Sequence, residues 1–508
     1  MLDGGFHHAS INIIQDIVPP TQEVFMPSKE NILEIELHAQ TLEKISEDLD
    51  QTQSQSEQVS SKLHSPIPTS ALLVHKSDKL NLLMLLGLYT IWGLVFGYFA
   101  NSLNVILIKR GATYSSLSLL TIMAYPFTLK FLFAPLVDSY YFKFLGKHKT
   151  YILFSNYLMS FFLLLNAFYI EEWIRNLEIT KITALGFLVV FAFSFQSIAV
   201  DAWPPSLLRP ENMRYVGFIS NFGQILGMIF SYNLFIWFNS RSFCNSYIYS
   251  TYHEEPLISS FWLLVALSIT TFIITALVHV FKKEEATPKK EFETCGEFLR
   301  TLSRFGTNPN IRFLIFATFF MGVGMQPIEL GYVLILKKGF SQNMLSLLDL
   351  IGNIMAPFAG IYGSYLAKKK KEFSYLLICF AFNIIGDIMY YFFVINYDSV
   401  TPKVSVVLYL LQEISLSVNQ SIRLVLFVSF LLRVADPKMT AVYTTFFYSV
   451  YNLNGLLTVS FSLLLIDYMN YTILCSLGIS FAVIFLIVFG RRIIKMENVE
   501  KNLWLITD

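Results

Sequence analysis

Charged residues are scarce in this chain. Asp, Glu, Lys and Arg make up 14% of its 508 residues, against about 25% in an average soluble domain. Hydrophobic residues make up 54%, and the mean hydropathy is +0.54. This balance excludes an ordinary soluble domain and indicates a protein whose main partner is the lipid bilayer.

An excess of charge of one sign is also missing, as are paired cysteines. The net charge is +1, so we expect no nucleic acid as a partner. The four cysteines lie far apart, without CxxC or metal-ligand spacing: Cys244, Cys295, Cys379 and Cys475. We therefore expect no disulfide, no bound metal and no cofactor.

The first 75 residues lack any long apolar run. They contain eleven acidic and three basic residues together with runs of Gln and Ser, which predicts a disordered, acidic, cytosolic tail. Ile35, Leu42 and Leu49 recur every seven residues and leave open a short amphipathic helix or coiled coil. We expect no cleavable signal peptide, so that the first membrane span directs insertion.

From residue 80 onward, apolar runs follow one another with short polar breaks. About twenty apolar residues cross the roughly 30 Å of bilayer hydrocarbon as a helix. We predict an all-α membrane protein of twelve helices, near residues 80–108, 115–137, 150–170, 182–204, 213–238, 258–281, 310–336, 343–366, 373–396, 404–431, 438–465 and 469–490.

The longest polar break divides these spans into six and six. It predicts an N-terminal half at 76–281, a linker at 282–309, a C-terminal half at 310–490 and a C-terminal tail at 491–508. The loops on the linker side carry 21 Lys and Arg residues, whereas the opposite loops carry 8. Because positive loops stay in the cytosol, we expect both termini, the linker and the tail to be cytosolic.

Two basic side chains lie inside predicted spans. Lys130 is in the middle of span 2, flanked by Pro126 and Pro135, and Arg423 is in the second half of span 10. A charge in the bilayer core costs at least about 2.5 to 3.5 kcal/mol, so it is rarely kept without a function. One base in each half is what two halves closing around an anion would supply, and we predict that both bind an anionic substrate.

Further polar side chains share the predicted interior. The acids are Asp201, Glu329, Asp349, Asp387 and Glu413. For each of them, a structural ion pair with a base on another helix is as well supported as a functional role. Neutral donors and acceptors are also candidates to line a substrate cavity: Gln196, Gln224, Gln326, Gln412 and Gln420.

Small residues recur at helical spacing in two spans. Gly93 and Gly97 in span 1, and Gly223 and Gly227 in span 5, form GxxxG pairs. Glycines at this spacing let two helix backbones approach closely, so we predict that these pairs mark helix contacts.

The loop between spans 2 and 3 carries a recognisable pattern. APLVDSYYFKFLGKHK, residues 134–149, resembles the Asp-to-Gly, basic-ended signature of the major facilitator superfamily, with Asp138, Gly146, Lys147 and Lys149 in its places. The resemblance implies a gating role for these four residues at the cytosolic face. Asp201, at the cytosolic end of span 4, is a candidate partner in this brace.

Three longer blocks resemble the acetyl-coenzyme A transporter family of that superfamily. They are YPFTLKFLFAPLVDSYYFKFLGKHKTYIL, QSIAVDAWPPSLLRPENMRYVGFISNFGQILG and ADPKMTAVYTTFFYSVYNLNG, and they fall at corresponding helices in order, so the resemblance extends over roughly residues 80–490. The triplet Phe243 to Asn245 also resembles this family. The related muropeptide permeases share the Pro-Lys-Pro second helix and the Gln-Asp pattern of helix 4.

The resemblance implies import of acetyl-coenzyme A into the lumen of the endoplasmic reticulum or Golgi by alternating access, in exchange for coenzyme A. Its phosphates would need fixed cations, for which Lys130 and Arg423 are available. Its adenine would favour an aromatic face. Most aromatics of this kind only pack, and the candidates are Tyr89, Trp92, Tyr98, Tyr125 and Tyr332.

Two other functions compete with this interpretation. A proton-coupled muropeptide or small-peptide permease would use one of the acids, such as Glu329 or Glu413, to carry the proton. A membrane acyltransferase would need an intramembrane His or Cys with a base. The candidate His279 lies at the edge of its span, so we expect no enzyme.

Overall fold

The computed structural model describes residues 76–209, 212, 215–284, 296, 300, 303–324, 326–435 and 440–504. The predicted acidic tail and most of the predicted linker lie outside these residues. We call the end of the helix bundle at which residues 282–284 emerge the linker side, and the opposite end the far side. In the described part of the chain every regular element is helical.

The N-terminal half contains six spans, numbered α1 to α6. They are α1, Lys76–Lys109 with a π-helical turn at Gly97–Ser102; α2, Tyr114–Ser139 in several short segments; α3, Lys147–Arg175; α4, Ile179–Ala202; α5, Val216–Phe238 with a π-helical turn at Ile229–Leu234; and α6, Ser260–Phe281.

The C-terminal half contains α7 to α12. They are α7, Pro309–Lys337 with breaks after Phe320 and Glu329; α8, Gln342–Ala367; α9, Glu372–Ile395; α10, Pro402–Val434; α11, Thr440–Leu465; and α12, Tyr471–Lys495. Ten of the described helices are long and apolar enough to cross a membrane. They confirm the prediction of an all-α membrane protein, and the broken α7 and α11 occupy the two remaining predicted spans.

The predicted GxxxG contacts are confirmed. A Cβ added to Gly93 of α1 would lie 2.0 Å from the carbonyl oxygen of Gln224, and one added to Gly227 of α5 would lie 2.3 Å from that of Thr90. Only glycine permits this approach of α1 and α5. Beyond the glycines both helices pass into their π-helical turns, where the Ser102 hydroxyl donates to the Ser231 carbonyl oxygen at 2.7 Å.

The C-terminal boundary differs from the prediction. Helix α12 continues to Lys495 instead of ending at residue 490, and residues 501–504 form a further helical turn. Trp504 is fully buried, with its ring 5.5 Å from that of Phe430. Its indole packs against the linker-side end of the C-terminal half, so this segment belongs to the folded bundle.

Candidate functional site

Helix α2 is irregular where it carries Lys130. Pro126 and Pro135 each lack a backbone N–H, which prevents a continuous α-helix. The segment between them is a short α-helical turn followed by a 3₁₀ turn at Lys130–Leu132. This loose backbone presents Lys130 toward α4, past the middle of the membrane on the linker side.

Lys130 lies in a polar pocket between α2 and α4. Its Nζ donates to Ser197 Oγ at 2.8 Å and to Asp201 Oδ2 at 3.1 Å, and it lies 4.9 Å from the centre of the Phe127 ring. The Tyr89 hydroxyl of α1 donates to the other Asp201 oxygen at 3.4 Å. The Asp201 side chain is 53% exposed and that of Lys130 15%, so the ion pair opens to the linker side.

Asp201 therefore lies in an ion pair between helices, which was one of the alternatives open for the intramembrane acids. It was proposed as a partner for the loop between α2 and α3, whereas the structure places it against Lys130 and Tyr89. The side chain of Asp138, the first residue of that loop pattern, lies outside the described residues. A gating role for either residue stays a prediction.

The basic end of the loop instead contacts the end of α6. Lys149 is buried, and its Nζ donates to the carbonyl oxygen of His279 at 2.9 Å and to that of Lys282. Gly146 has φ of +93°, which favours glycine, and Lys147 is half-buried. These residues join α3 to α6 at the linker side.

Glu284 completes this junction and was not predicted. Its carboxylate accepts from the His148 ring at 2.6 Å and from the backbone N–H of Lys149 at 2.8 Å. Burial raises the pKa of the Glu284 carboxyl, but hydrogen bonds from His148 and from the backbone outweigh burial and hold this pKa below its usual range. One signal could have pointed to Glu284. Gly146 has no side chain to cap the start of α3, so the backbone N–H groups of the first turn need an acceptor from another segment.

Arg423 occupies the linker-side half of α10. It is half-buried and within electrostatic range of Asp387 and Cys379, both on α9. Lys130 and Arg423 are therefore both nearer to the linker side than to the far side, and their binding of an anionic substrate stays a prediction.

A cavity of about 230 Å³ lies in the far half of the bundle, between the two halves. Ala100 and Tyr232 contribute from the N-terminal half. Three predicted acids and one predicted amide line it from the C-terminal half, together with three further tyrosines: Glu329, Asp349, Gln412, Glu413, Tyr332, Tyr390 and Tyr409. The cavity is therefore acidic and rich in phenol groups.

Neutral donors hold the carboxylates around this cavity. Asp349 accepts from Tyr409 at 3.2 Å and from Tyr232, which reaches it across the interface between the halves. Asp387 is 1% exposed and accepts from Asn383 at 2.7 Å and from Gln412 at 3.2 Å. Tyr332 was among the aromatic candidates, whereas the other three tyrosines that line the cavity were missed, because Tyr is common in this chain and its spacing gives no signal.

The remaining candidates are spread over the bundle. Trp92 stacks on Phe96 at 5.1 Å, within an aromatic cluster that includes Phe127, the ring beneath Lys130. Tyr125 is half-buried. Among the amides, Gln196 is buried and donates to the Leu88 carbonyl oxygen at 3.1 Å, Gln224 donates to Ser220 at 3.0 Å, Gln420 is exposed, and the side chain of Gln326 lies outside the described residues.

Polar contacts join the halves at the far side. Lys109 donates to the Phe340 carbonyl oxygen at 3.1 Å, and the Ser115 amide donates to Asp467 at 3.0 Å. The Trp237 indole donates to the Asn343 carbonyl oxygen at 3.2 Å. These bonds join α1 to the loop between α7 and α8, α2 to the loop between α11 and α12, and α5 to α8, so the two halves are held together at the far side.

The Phe-Cys-Asn triplet shapes a far-side loop. Cys244 is fully buried and donates to the Phe238 carbonyl oxygen at 3.3 Å. The Asn245 amide donates to the carbonyl oxygen of His253 and accepts from its N–H, both at 2.8 Å. The triplet therefore holds the loop between α5 and α6 in shape.

The sequence of the N-terminal half matches a known family. The family model described as acetyl-coenzyme A transporter 1 matches residues 81–301. This stretch includes Lys130, Asp201, Glu284 and the Phe-Cys-Asn triplet. The resemblance inferred from the sequence extended to about residue 490, whereas the match ends before α7.

Individual relatives agree with a membrane protein. An uncharacterized protein of Schizosaccharomyces pombe is 30% identical over 288 residues, which are 56% of this chain and 55% of that protein. The anhydromuropeptide permease of Escherichia coli K12 is 23% identical over 309 residues, 60% of this chain and 59% of the permease. The chain thus spans little more than half the length of either relative.

The fold matches solved transporter structures. A bacterial homolog of the human lysosomal transporter Spinster, in an inward-facing and unoccupied conformation, aligns with a TM-score of 0.54 and 12% identity over 84% of this chain and 98% of that one. At this identity the likeness shows the fold alone. The chain is therefore a multi-pass membrane protein with the fold of these transporter structures, and its residues 81–301 match the model of the acetyl-coenzyme A transporter family.

Proposed function

We propose that this protein carries acetyl-coenzyme A from the cytosol into the lumen of the endoplasmic reticulum or Golgi, in exchange for coenzyme A. The linker side faces the cytosol, in agreement with its excess of Lys and Arg. The two halves rock about the central interface to expose the site to each side in turn. The observation that carries the proposal is Lys130, an ammonium open to the linker side within the stretch that matches the family.

Lys130 would bind a phosphate of the substrate. Ser197 and Asp201 take two of the three donors of its ammonium group, which leaves one for an incoming oxygen. Asp201 is more than half exposed, so a phosphate can compete with it for the ammonium. Before substrate binds, Asp201 balances the charge of Lys130, and after binding the substrate phosphate takes over this role. The buried ammonium is therefore paired with an anion in both states.

Arg423 would meet a second anionic group from the opposite half. A guanidinium offers a planar set of donors suited to phosphate. Because both bases lie toward the linker side, an anion entering from the cytosol meets them before the acidic far half. The far cavity, at about 230 Å³, is smaller than the usual 300 to 1,000 Å³ of ligand pockets, so in this conformation it would hold a part of the substrate at most.

The far-side contacts support the direction of opening. With bonds such as Lys109 to Phe340 closing the far side, the conformation is the one that accepts substrate from the cytosol.

A second candidate is a proton-coupled permease for muropeptides or small peptides. It is favoured by the buried carboxylates Asp349 and Asp387, whose direct partners are neutral, and by the similarity to an anhydromuropeptide permease. Such carboxylates inside a membrane are typical sites of proton transfer.

Purified protein in liposomes separates the two candidates. We expect uptake of labelled acetyl-coenzyme A that is faster when unlabelled coenzyme A is trapped inside, and little uptake of anhydromuropeptide under a proton gradient. Liposomes without protein and liposomes with the Lys130→Ala variant are the controls. Absence of acetyl-coenzyme A uptake, with gradient-driven uptake of anhydromuropeptide, would reverse the assignment.

A further inference from the structure

The first turn of α3 is capped by a residue from beyond α6. Glu284 follows the end of α6 by three residues and accepts from the backbone N–H groups of His148 at 3.2 Å and Lys149 at 2.8 Å. The first four N–H groups of a helix have no partner within the helix, and a carboxylate there is favoured by the helix dipole. The Glu284 side chain is only 5% exposed, so its position is fixed by these bonds.

The C-terminal half repeats this arrangement. Glu497 lies two residues beyond the end of α12 and accepts from the backbone N–H of Ser374, the third residue of α9. In the N-terminal half, Lys149 is likewise the third residue of α3. Helices α3 and α9 are the third, and α6 and α12 the sixth, of their halves. A buried glutamate after the sixth helix therefore caps the third helix in each half.

A basic side chain completes each cap by a different route. In the N-terminal half, Lys149 donates to carbonyl oxygens at the end of α6. In the C-terminal half, Arg433 at the end of α10 donates to the Glu497 carbonyl oxygen at 3.3 Å and to the Glu372 carboxylate at 2.8 Å. Both bases donate to backbone carbonyl oxygens at or just beyond the end of the sixth helix of their half, and so help to hold the segment that carries the glutamate.

Helices α3 and α6 are also joined along their length. In mid-membrane the Ser160 hydroxyl donates to the Ser268 carbonyl oxygen at 2.9 Å, and the Ser268 hydroxyl donates back to that of Ser160 at 2.7 Å. At the far side Glu171 accepts from the Phe261 amide, in the first turn of α6, at 3.2 Å. The two helices are thus fixed against sliding at both ends and in the middle.

The same junction holds the end of α2. The Tyr151 hydroxyl of α3 donates to the Leu136 carbonyl oxygen at 2.8 Å. A Cβ on Gly146 would lie 2.6 Å from the Glu284 side chain, so the loop glycine makes room for the cap. Helix α2, which carries Lys130, is therefore connected to α6 through α3.

We propose that Glu284 and Glu497 are equivalent positioning residues of the transport cycle. Each locks the linker-side ends of the third and sixth helices of its half together, so that the half turns as one rigid body. A half whose helices can slip would absorb the rotation internally and transmit less of it to the far-side contacts. The inference rests on alternating access in the proposed function and not on the identity of the substrate.

Hydrogen exchange tests the two caps separately. Glu284→Gln removes the charge and keeps the shape, and we expect exchange of the amides at 147–150 to rise about tenfold while those at 372–375 are unchanged. Glu497→Gln should give the reverse pattern. The matched control is Glu500→Gln, because Glu500 is exposed on the same side. Since a Gln oxygen still accepts, Glu284→Ala serves as the second variant.

Far-side opening provides the functional readout without any substrate. Ala100 lines the cavity, and the Ala100→Cys variant can be labelled there. An impermeant maleimide is added on the far side, and mass spectrometry quantifies the modified peptide. We expect the Glu284 and Glu497 variants to be labelled roughly fivefold more slowly than Glu500→Gln. In liposomes the maximal uptake rate of acetyl-coenzyme A should fall with little change in KM.

The outcomes are distinct. Unchanged exchange in both Glu284 variants, a rise of exchange in both halves at once, or increased exchange with normal labelling would each overturn the proposal, as would a change in KM alone. If the wild type takes up no acetyl-coenzyme A, the proposed substrate is wrong, and the exchange and labelling results still decide the role of the caps.

Discussion

Within the membrane, the two halves hold their buried charges in different ways. In the N-terminal half Asp201 is bonded to the base Lys130. In the C-terminal half Asp349 and Asp387 receive hydrogen bonds from neutral groups. At the linker-side edge, by contrast, each half pairs a buried glutamate with a base. An ion pair loses its attraction when either member is neutralised, whereas a carboxylate held by neutral donors can gain a proton or a cation and keep its partners.

This difference suggests a division of roles. The N-terminal half carries the base that is open to the linker side, and the family match covers this half. The C-terminal half carries the acidic side of the interface, and the buried Trp504 packs the C-terminal segment against its linker-side end. If the roles are divided in this way, the two halves can be perturbed separately.

The largest loss of stability is expected when the buried Trp504 side chain is removed. Trp504→Ala removes a fully buried indole that packs on Phe430, and loss of a buried Trp costs about 3 to 5 kcal/mol. We expect the melting temperature of the purified protein to fall by several degrees, with the loss of amide protection confined to α9, α10 and α12. Leu503→Ala is the control because Leu503 is 56% exposed. Equal loss of protection in both halves would show that the halves are not separable.

Lys130→Ala is expected to have the next largest effect. It removes the base and leaves Asp201 without its charged partner, and a hydrogen bond to a charged group is worth about 1.5 to 3 kcal/mol. We predict a roughly tenfold to hundredfold loss of acetyl-coenzyme A uptake in liposomes, with Lys143→Ala as the exposed control. Normal uptake by a folded Lys130→Ala protein would exclude the anion site.

Tyr232 and Tyr409 both donate to Asp349, the first from the opposite half and the second from the same half. Removing each hydroxyl in turn compares a contact between the halves with a contact inside one half. Tyr232→Phe removes the bond that reaches Asp349 across the interface, and Tyr409→Phe removes the bond that stays within the C-terminal half. We expect the first variant to favour far-side opening by roughly tenfold, at about 1.5 kcal/mol for the lost bond. The rate of maleimide labelling in an Ala100→Cys background measures this opening. If both variants opened equally, the interface bond would have no special role.

The smallest effect is a pH dependence of the N-terminal cap. The pKa of Glu284 is held below its usual 4.5 by His148 and the backbone, so the ionised form stabilises the fold fully above pH 4.5. This contribution is lost as the pH falls through the lowered value. The difference in melting temperature between the wild type and Glu284→Gln should be constant near neutral pH and shrink below pH 4.5. If the difference in melting temperature persisted well below pH 4.5, the stabilisation would come from the shape of the Glu284 side chain and not from its charge.

The sequence predicted the spans well and the contacts poorly. Apolar runs placed every span to within several residues, because crossing the bilayer sets both length and composition. It also selected Lys130 and Asp201, but gave them unrelated roles. Their pairing depends on the rotation of α2 and α4, and the prolines near Lys130 make the rotation of α2 unpredictable from helical periodicity.

Other features escaped prediction for physical reasons. Glu284 lies among the charged residues of a linker, where one more acid is unremarkable. Tyr232 is one of 27 tyrosines, and its importance comes from a helix of the opposite half. The C-terminal segment was assigned to a tail because it is short and polar, yet a single Trp504 suffices to bury it.

The π-helical turns in α1 and α5 have a consequence for engineering the chain. A π-helical turn accommodates one residue more than an α-helix does. The wider turn absorbs that residue, so the α-helix before it and the α-helix after it keep the same phase. Deleting a single residue from Ile229–Leu234 would restore regular α-helix and redirect only the side chains within the turn. We expect Tyr232 to lose its direction toward Asp349, while the glycine contacts before the turn and Trp237 after it stay in register. A one-residue deletion would therefore remove this contact between the halves and leave the packing of α5 on α1 in place.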